Sequence, residues 1–213
     1  MTNNPQDTAE WHQARIGHVT ASRMGVVVRR KGDSKPYAGY EDYINEIVLE
    51  RLTNRAADHF VSEAMQHGTD TEDEAAAYYM METGRAVTRT GFVRHPSIEW
   101  LGASPDRLVG DDGLLEIKCP TIKTHLDTIL GAKIKPEYHW QMVAQMICTG
   151  REWCDFMSYD NRMPPHLRSK IVRVERCADD VKDAEERTKE FLARADERKA
   201  QLDALNPAQQ AAA

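Results

Sequence analysis

Residues 103–120, ASPDRLVGDDGLLEIKCP, constrain the fold more than any other stretch of the chain. Two apolar runs, Leu108–Val109 and Leu114–Leu115, flank Gly-Asp-Asp-Gly at 110–113, and Gly and Asp at such a reversal predict a β-hairpin. Asp106 then stands at the mouth of one strand, and Glu116 to Lys118 lie on its partner. Side chains alternate along a strand, so Glu116 and Lys118 share one face while Leu115 and Ile117 take the other, a chemical face backed by a core face. Pairing Val109 with Leu114 brings Asp106 within about one residue of the register position opposite Glu116.

Two carboxylates at that distance repel, so either one of them holds its proton or a cation lies between them. Carboxylate oxygens, with a backbone carbonyl nearby, suit Mg²⁺ or Mn²⁺ better than zinc. Such a metal activates water and polarises a phosphoryl oxygen, and Lys118 is placed to hold the attacking water or the developing charge. Glu-x-Lys on a strand is also the pattern of a solvated cross-strand ion pair. The hairpin alone leaves both readings open.

At 213 residues with 41% apolar content, one domain with its own core is expected. Cys119, Cys148, Cys154 and Cys177 are scattered without a C-x-x-C pair, which points away from a zinc ribbon or disulfide framework and towards reduced thiols. The sequence has no leader-like start and no apolar run of membrane-spanning length, so a cytoplasmic protein with no membrane contact is expected. The net charge of -6 argues against a uniformly basic nucleic-acid binder. Half of it resides in residues 175–203, where ten acids face seven bases. The basic clusters Arg29-Arg30-Lys31 with Lys35, Lys133 with Lys135, and Arg162, Arg168, Lys170 and Arg173 line a groove or are ordinary solvated surface.

In chain order, residues 1–10 read as a flexible terminus. Trp11, Ile16 and Val19 dock the next segment, and Thr20 is expected to cap a helix. Arg15 and Ser22 beside that helix start make an anion site or, more plainly, a capped helix with a surface arginine. Helices are predicted at residues 40–52, with Tyr40, Tyr43, Ile44, Ile47, Val48 and Leu52 on the core face, and at 69–82, ending at Gly84. Glu72 either complements the second helix's dipole or turns to the carboxylate cluster. Further helices are predicted at 124–130 and 138–148, strands near 153–159 and 169–174, and an amphipathic helix over 179–205 before a disordered tail at 206–213. Gln141, on the 138–148 helix, is surface unless turned inward to a partner such as Lys118.

Five blocks together, WHQARIGHVTAS (11–22), HGTDTEDEA (67–75), ASPDRLVGDDGLLEIKCP (103–120), Tyr138 with Gln141, and YDNRM (159–163), resemble the phage λ exonuclease family. This is the YqaJ-like viral recombinase branch of the PD-(D/E)xK nucleases. The resemblance implies an α/β (α+β) fold with a restriction-endonuclease-like core, a central mixed sheet flanked by helices, in a single domain over 11–205. It implies two Mg²⁺ ions, replaceable by Mn²⁺, held by Asp106, Glu116 and the Ile117 carbonyl. Lys118 is then the catalytic lysine, with Glu72 and Gln141 beside the attacking water. Arg15, Ser22 and Ser104 match a 5′-phosphate pocket, and Met65 a wedge against the duplex end. The activity implied is 5′ to 3′ digestion of one strand of linear double-stranded DNA, leaving a 3′ overhang for recombination. A homotrimeric ring and a single-strand annealing partner are implied with it. Within the same fold an endonuclease is the alternative, and outside it a catalytically silent DNA-end-binding scaffold. The chain between Lys118 and Gln141 is shorter than in the λ protein, and the last helix carries no match.

Overall fold

The structure, a computed structural model, describes residue 6 and residues 8–28, 38–57 and 63–206, with side chains from 71 onward in the last segment. Helix α1 (Ala9–Arg15), strand β1 (Val19–Thr20), a 3-10 turn and the short α2 (Met24–Val27) come first, followed by helices α3 (Tyr40–Thr53) and α4 (Glu63–Thr83). Strands β2 (Val87–Thr88), β3 (Val93–Arg94), β4 (Leu101–Ala103), β5 (Arg107–Val109) and β6 (Gly113–Lys118) succeed one another. Helices α5 (Ile122–Ile129) and α6 (Pro136–Thr149) then cross to β7 (Trp153–Tyr159), and β8 (Ser169–Glu175) and α7 (Ala178–Asp203) complete the domain. The mixed α+β architecture is the one expected.

A five-stranded sheet runs β2-β5-β6-β7-β8, and in it only β6 and β7 are parallel. A smaller sheet runs β1-β4-β3, with β1 parallel to β4. A parallel pair needs a long crossover, which α5 and α6 supply between β6 and β7. Strand β7, WCDFMSY, is buried at every position because helices cover both faces of the large sheet. On one face Leu114 and Phe156 join the main core with Met142, Val143 and Met146 of α6. On the other, Leu115, Ile117 and Met157 pack with Ala75, Ala76 and Tyr79 of α4. The expected division of β6 into a core face and a chemical face is therefore corrected: both faces are core, and Glu116 lies fully buried.

Helix α3 buries Tyr40, Tyr43, Ile44, Ile47 and Val48 as its period requires, and the Tyr40 and Tyr43 rings each lie 5.1 Å from that of Phe191 on α7. Leu52, predicted for the core, is exposed in the helix's last turn. Helix α7 packs through Ala184, Thr188, Phe191, Leu192 and Ala195, leaving Leu202 exposed. Thr20, the last residue of β1, does stand at the N-cap position of the 3-10 turn Ala21–Arg23, but its side chain makes no capping bond and its N–H donates to the Tyr43 hydroxyl at 3.0 Å. The capping threonine is Thr8, whose hydroxyl accepts from Trp11 N–H at 3.2 Å, so α1 starts inside the terminus read as flexible. Among the described residues no helix is long and apolar enough to cross a membrane.

Candidate active site

Register builds the centre of the site. Val109 pairs with Gly113, one residue tighter than expected, and Arg107 with Leu115, which brings Asp106 opposite Glu116. The shift has a steric cause. A Cβ on Gly113 would stand 2.1 Å from the Trp153 ring, so glycine here makes room for β7 and belongs to the strand. The turn itself rests on Gly110, whose φ of +54° suits glycine.

Glu116 is held from two sides. Gln141 Nε2 donates to Oε1 at 2.7 Å and Gln145 Nε2 to Oε2 at 2.6 Å, both from α6, while Lys118 Nζ stands 2.5 Å from Oε1. Asp106 accepts the Ile117 N–H at 2.7 Å, a bond across the hairpin that fixes its carboxylate beside β6. Burial first, and the Glu116 charge second, hold the Asp106 carboxyl well above the usual carboxylate range. Burial pulls the Lys118 ammonium down, but the charges of Glu116 and Asp106 outweigh it and hold the lysine protonated. Tyr138 lies under that ammonium, its ring centroid 5.1 Å away. Cys119 is not a nucleophile here: burial, then the Glu72 and Asp106 charges, push its thiol up to about 12.

Glu72 reaches the centre indirectly. The buried Arg107 guanidinium binds Glu72 Oε1 at 2.5 Å, Asp73 Oδ1 at 2.6 Å and the Asp106 carbonyl at 2.6 Å, tying α4 to the mouth of β5. Sequence reasoning passed over Arg107 and Gln145. The period-2 pattern puts Arg107 on the face of Leu115, towards the helix carrying Glu72 and Asp73. Gln145 stands one helical turn beyond Gln141. Both signals were present in the chain.

The second group assembles at the small sheet. Strands β1 and β4 run parallel, Thr20 beside Gly102, so Ser22 and Ser104 follow the same ends of two adjacent strands. Trp11 joins the rest: its indole N–H donates to Ser104 Oγ at 2.9 Å, and the Arg15 guanidinium stacks 3.9 Å from its ring centroid. Ser22 Oγ is exposed, 3.3 Å from Thr20 Oγ1. Trp11, expected only to dock the segment, thus links Arg15 to Ser104. Met65 falls in the first turns of α4, and its side chain lies outside the described residues, as does the basic cluster at 29–35. Arg162 and Arg173 pair with Asp160 and Asp155.

Among the described residues no three His, Cys, Asp or Glu side chains converge as metal ligands. The donors brought together, the Asp106 and Glu116 carboxylates, are hard oxygens. Such a partial set fits Mg²⁺, which keeps several of its waters when bound.

The description of the YqaJ-like viral recombinase domain matches residues 10–152. The chain belongs to this family. The matched span contains every residue named in the acid centre and the Trp11 group. An alkaline exonuclease of Laribacter hongkongensis, LHK-Exo, superposes with a TM-score of 0.85 at 44% identity, over 92% of this chain and 96% of that one. Its complex with dAMP matches equally. A phage-related exonuclease of Haemophilus somnus 129PT, 16% identical, shares the fold over 87% of this chain and 96% of its own, with a TM-score of 0.72. No curated protein sequence matches the chain. Membership of the YqaJ-like family and likeness to LHK-Exo make this an exonuclease-type nuclease acting on DNA.

Proposed function

We propose that the chain is a Mg²⁺-dependent 5′ to 3′ exonuclease that digests one strand of linear double-stranded DNA to mononucleotides. The 3′ overhang it leaves feeds strand-annealing recombination. The observation that carries this reading is the Asp106, Glu116 and Lys118 set, two facing acids and a lysine at the ends of adjacent strands. The complex of LHK-Exo with dAMP, a deoxynucleoside monophosphate, supports mononucleotides as the product class.

Asp106, Glu116 and the Ile117 carbonyl would hold two Mg²⁺ ions, with Mn²⁺ as a substitute. Bound there, the metal supplies Lewis-acid polarisation of the phosphoryl oxygen and lowers the pKa of water. The chain's own residues do the rest. Gln141 and Gln145 fix the Glu116 carboxylate, so its charge is presented in one orientation. Lys118 brings positive charge to the negative charge that develops on the phosphoryl oxygens, and Gln141 and Glu72 orient the attacking water. Arg15, Ser22 and Ser104 bind the terminal 5′-phosphate, which sets polarity by fixing which strand end enters. Met65 wedges the duplex end, three copies form a ring around DNA, and a single-strand annealing protein is the partner.

The test is nucleotide release from a linear duplex labelled on one strand, with and without a 5′-phosphate, in Mg²⁺ and in EDTA, beside a closed circular control. Metal-dependent release of mononucleotides from the 5′ end, faster with phosphate and absent on the circle, is expected. Cutting of the circle replaces the reading with an endonuclease, and end binding without release replaces it with a scaffold. Glu116→Gln is expected to abolish release while leaving the fold; near wild-type rates would end the two-metal mechanism.

A further inference from the structure

A cavity of about 310 Å³ opens beside Lys118, between α5, the α5–α6 connection and β7. Its size suits a small ligand. Four lysines line it, Lys118, Lys123, Lys133 and Lys135, against one carboxylate, Asp127. Asp127 is already engaged by Lys123 at 3.2 Å. Lys135 meets Glu137 only at 4.0 Å between two half-exposed side chains, and Lys133 forms no ion pair among the described residues. With Lys118 paired to Glu116 and Lys123 to Asp127, the charge left to this concave wall is that of Lys133 and the loosely paired Lys135, and such a wall selects an anion.

The sheet order places this cavity relative to the acid centre. Across the large sheet the sequence is Asp106 at β5, Glu116 and Lys118 on β6, then Phe156 and Ser158 on β7. Glu116 pairs with Phe156 and Lys118 with Ser158 in parallel register, so all four side chains share the face that α6 covers. Phe156 and Ser158 line the cavity, one strand spacing, about 4.8 Å, beyond the acids. Ser104, Trp11 and Arg15 lie on the opposite side, where β4 leads into β5. A strand whose 5′ end is held at Arg15 and whose first linkage lies at Asp106 and Glu116 continues into the lysine cavity.

We propose that this cavity binds the phosphodiester immediately 3′ of the bond that is cut, with Lys133 and Lys135 as its cationic ligands. The assignment rests on the exonuclease reading above, and it makes the site grip the substrate on both sides of the scissile bond. Lys118 belongs to both the reacting centre and the cavity wall, so occupation of the cavity holds the strand in line with the lysine.

The experiment measures equilibrium binding, in EDTA, of a 5′-phosphorylated duplex and of the same duplex with one neutral methylphosphonate at the second linkage of the digested strand. A third duplex carries the methylphosphonate roughly ten linkages inward, beyond the reach of charge across one Debye length. The wild type is expected to bind the second-linkage duplex about tenfold more weakly than either of the others, two exposed ammoniums at a few-fold each. Lys133→Ala/Lys135→Ala should bind all three alike, at the weaker level, with an unchanged melting temperature. Equal binding of all three duplexes by the wild type, or full discrimination retained by the double variant, overturns the assignment. The wild-type arm decides even if the variant folds poorly. Release of mononucleotides by the same wild-type protein in Mg²⁺ separates the two readings. Release without linkage discrimination removes only the subsite, whereas no release removes the exonuclease and the subsite together.

Discussion

The acid centre stands on six-residue β6, with Asp106 at the mouth of the three-residue β5, in the interior of the five-stranded sheet, whereas Ser22 and Ser104 follow strands of two and three residues in the smaller one. Glu116 is clamped by three donors from two elements, and Asp106 is bonded to the backbone of the neighbouring strand. The Arg15 and Ser104 group is gathered by one indole, through one hydrogen bond and one stacked guanidinium. Chemistry that tolerates little displacement is built into the core, and recognition of a strand end is hung on its margin. The two regions should then fail differently.

The largest difference concerns Asp106. Asp106→Asn keeps the acceptor for Ile117 N–H but removes the carboxyl that faces Glu116, so release should fall by roughly three orders of magnitude. Stability should not fall with it. A carboxyl held above its ordinary range contributes stability below its unfolded pKa that is lost as pH rises through its folded value, so above the ordinary carboxylate range this group no longer adds to the fold. The variant should melt at or above the wild-type temperature in EDTA, and millimolar Mg²⁺ should raise the melting temperature of the wild type only. Loss of stability in the variant would mean that Asp106 is structural.

Next in size is Arg107→Gln. Its three contacts tie α4 to β5, but Glu72 and Asp73 are partly exposed, so the loss should be about 2 kcal/mol in urea denaturation. Because Glu72 is positioned through Arg107, release should slow as well, and Glu72→Gln in the Arg107→Gln background should slow it little further. Additive losses would separate the two residues.

At the margin the effect is selective. Arg15→Ala should reduce the preference for a 5′-phosphorylated end over a 5′-hydroxyl end about tenfold, while release from the hydroxyl end changes little. Trp11→Phe keeps a ring beneath Arg15 but loses the bond to Ser104, and should fall between the wild type and Arg15→Ala. Equal slowing on both ends would place Arg15 in the general chemistry.

The smallest effect comes from acid. Burial holds His18 and His95 below the ordinary histidine value, and both border the small sheet. His95 Nδ1 accepts the Ser97 and Ile98 N–H groups at 3.0 and 2.8 Å and has no room for a proton. These neutral imidazoles contribute stability above pH 6.5 that is lost as pH falls through their lowered values, at up to about 1.4 kcal/mol per pH unit each. Urea denaturation at pH 7.5 and 5.5 should show the loss, and His95→Asn, which retains an acceptor, should reduce it. An unchanged slope in that variant would assign the acid sensitivity elsewhere.

What the sequence revealed follows the same division. Strands β7 and β8 and helices α3 and α6 were legible because long periodic runs record burial directly. The hairpin was legible because its turn residues are local, yet its register slipped by one, since the ring that excludes a side chain at 113 is forty residues away in Trp153. Glu72, Gln141 and Lys118 were read as possible neighbours, but Arg107, which ties Glu72 to the Asp106 carbonyl, and Gln145, which shares Glu116 with Gln141, show only when two helices are laid on opposite faces of one sheet. Trp11 was read as packing. Its bond to Ser104 depends on the parallel pairing of β1 with β4, which no local pattern announces.

The parallel register of β6 with β7 also sets an order in time. The β5–β6 hairpin is complete once residue 118 has been synthesised, but the glutamines that clamp Glu116 follow it by 25 and 29 residues, and the strand that covers β6 comes later still. A nascent chain that has already made both acids and the lysine exposes them on an unfinished sheet edge. It acquires an ordered Glu116 only when the crossover closes. Nuclease competence is therefore a late product of translation, and a chain truncated before α6 carries the motif without the surroundings that make it a site.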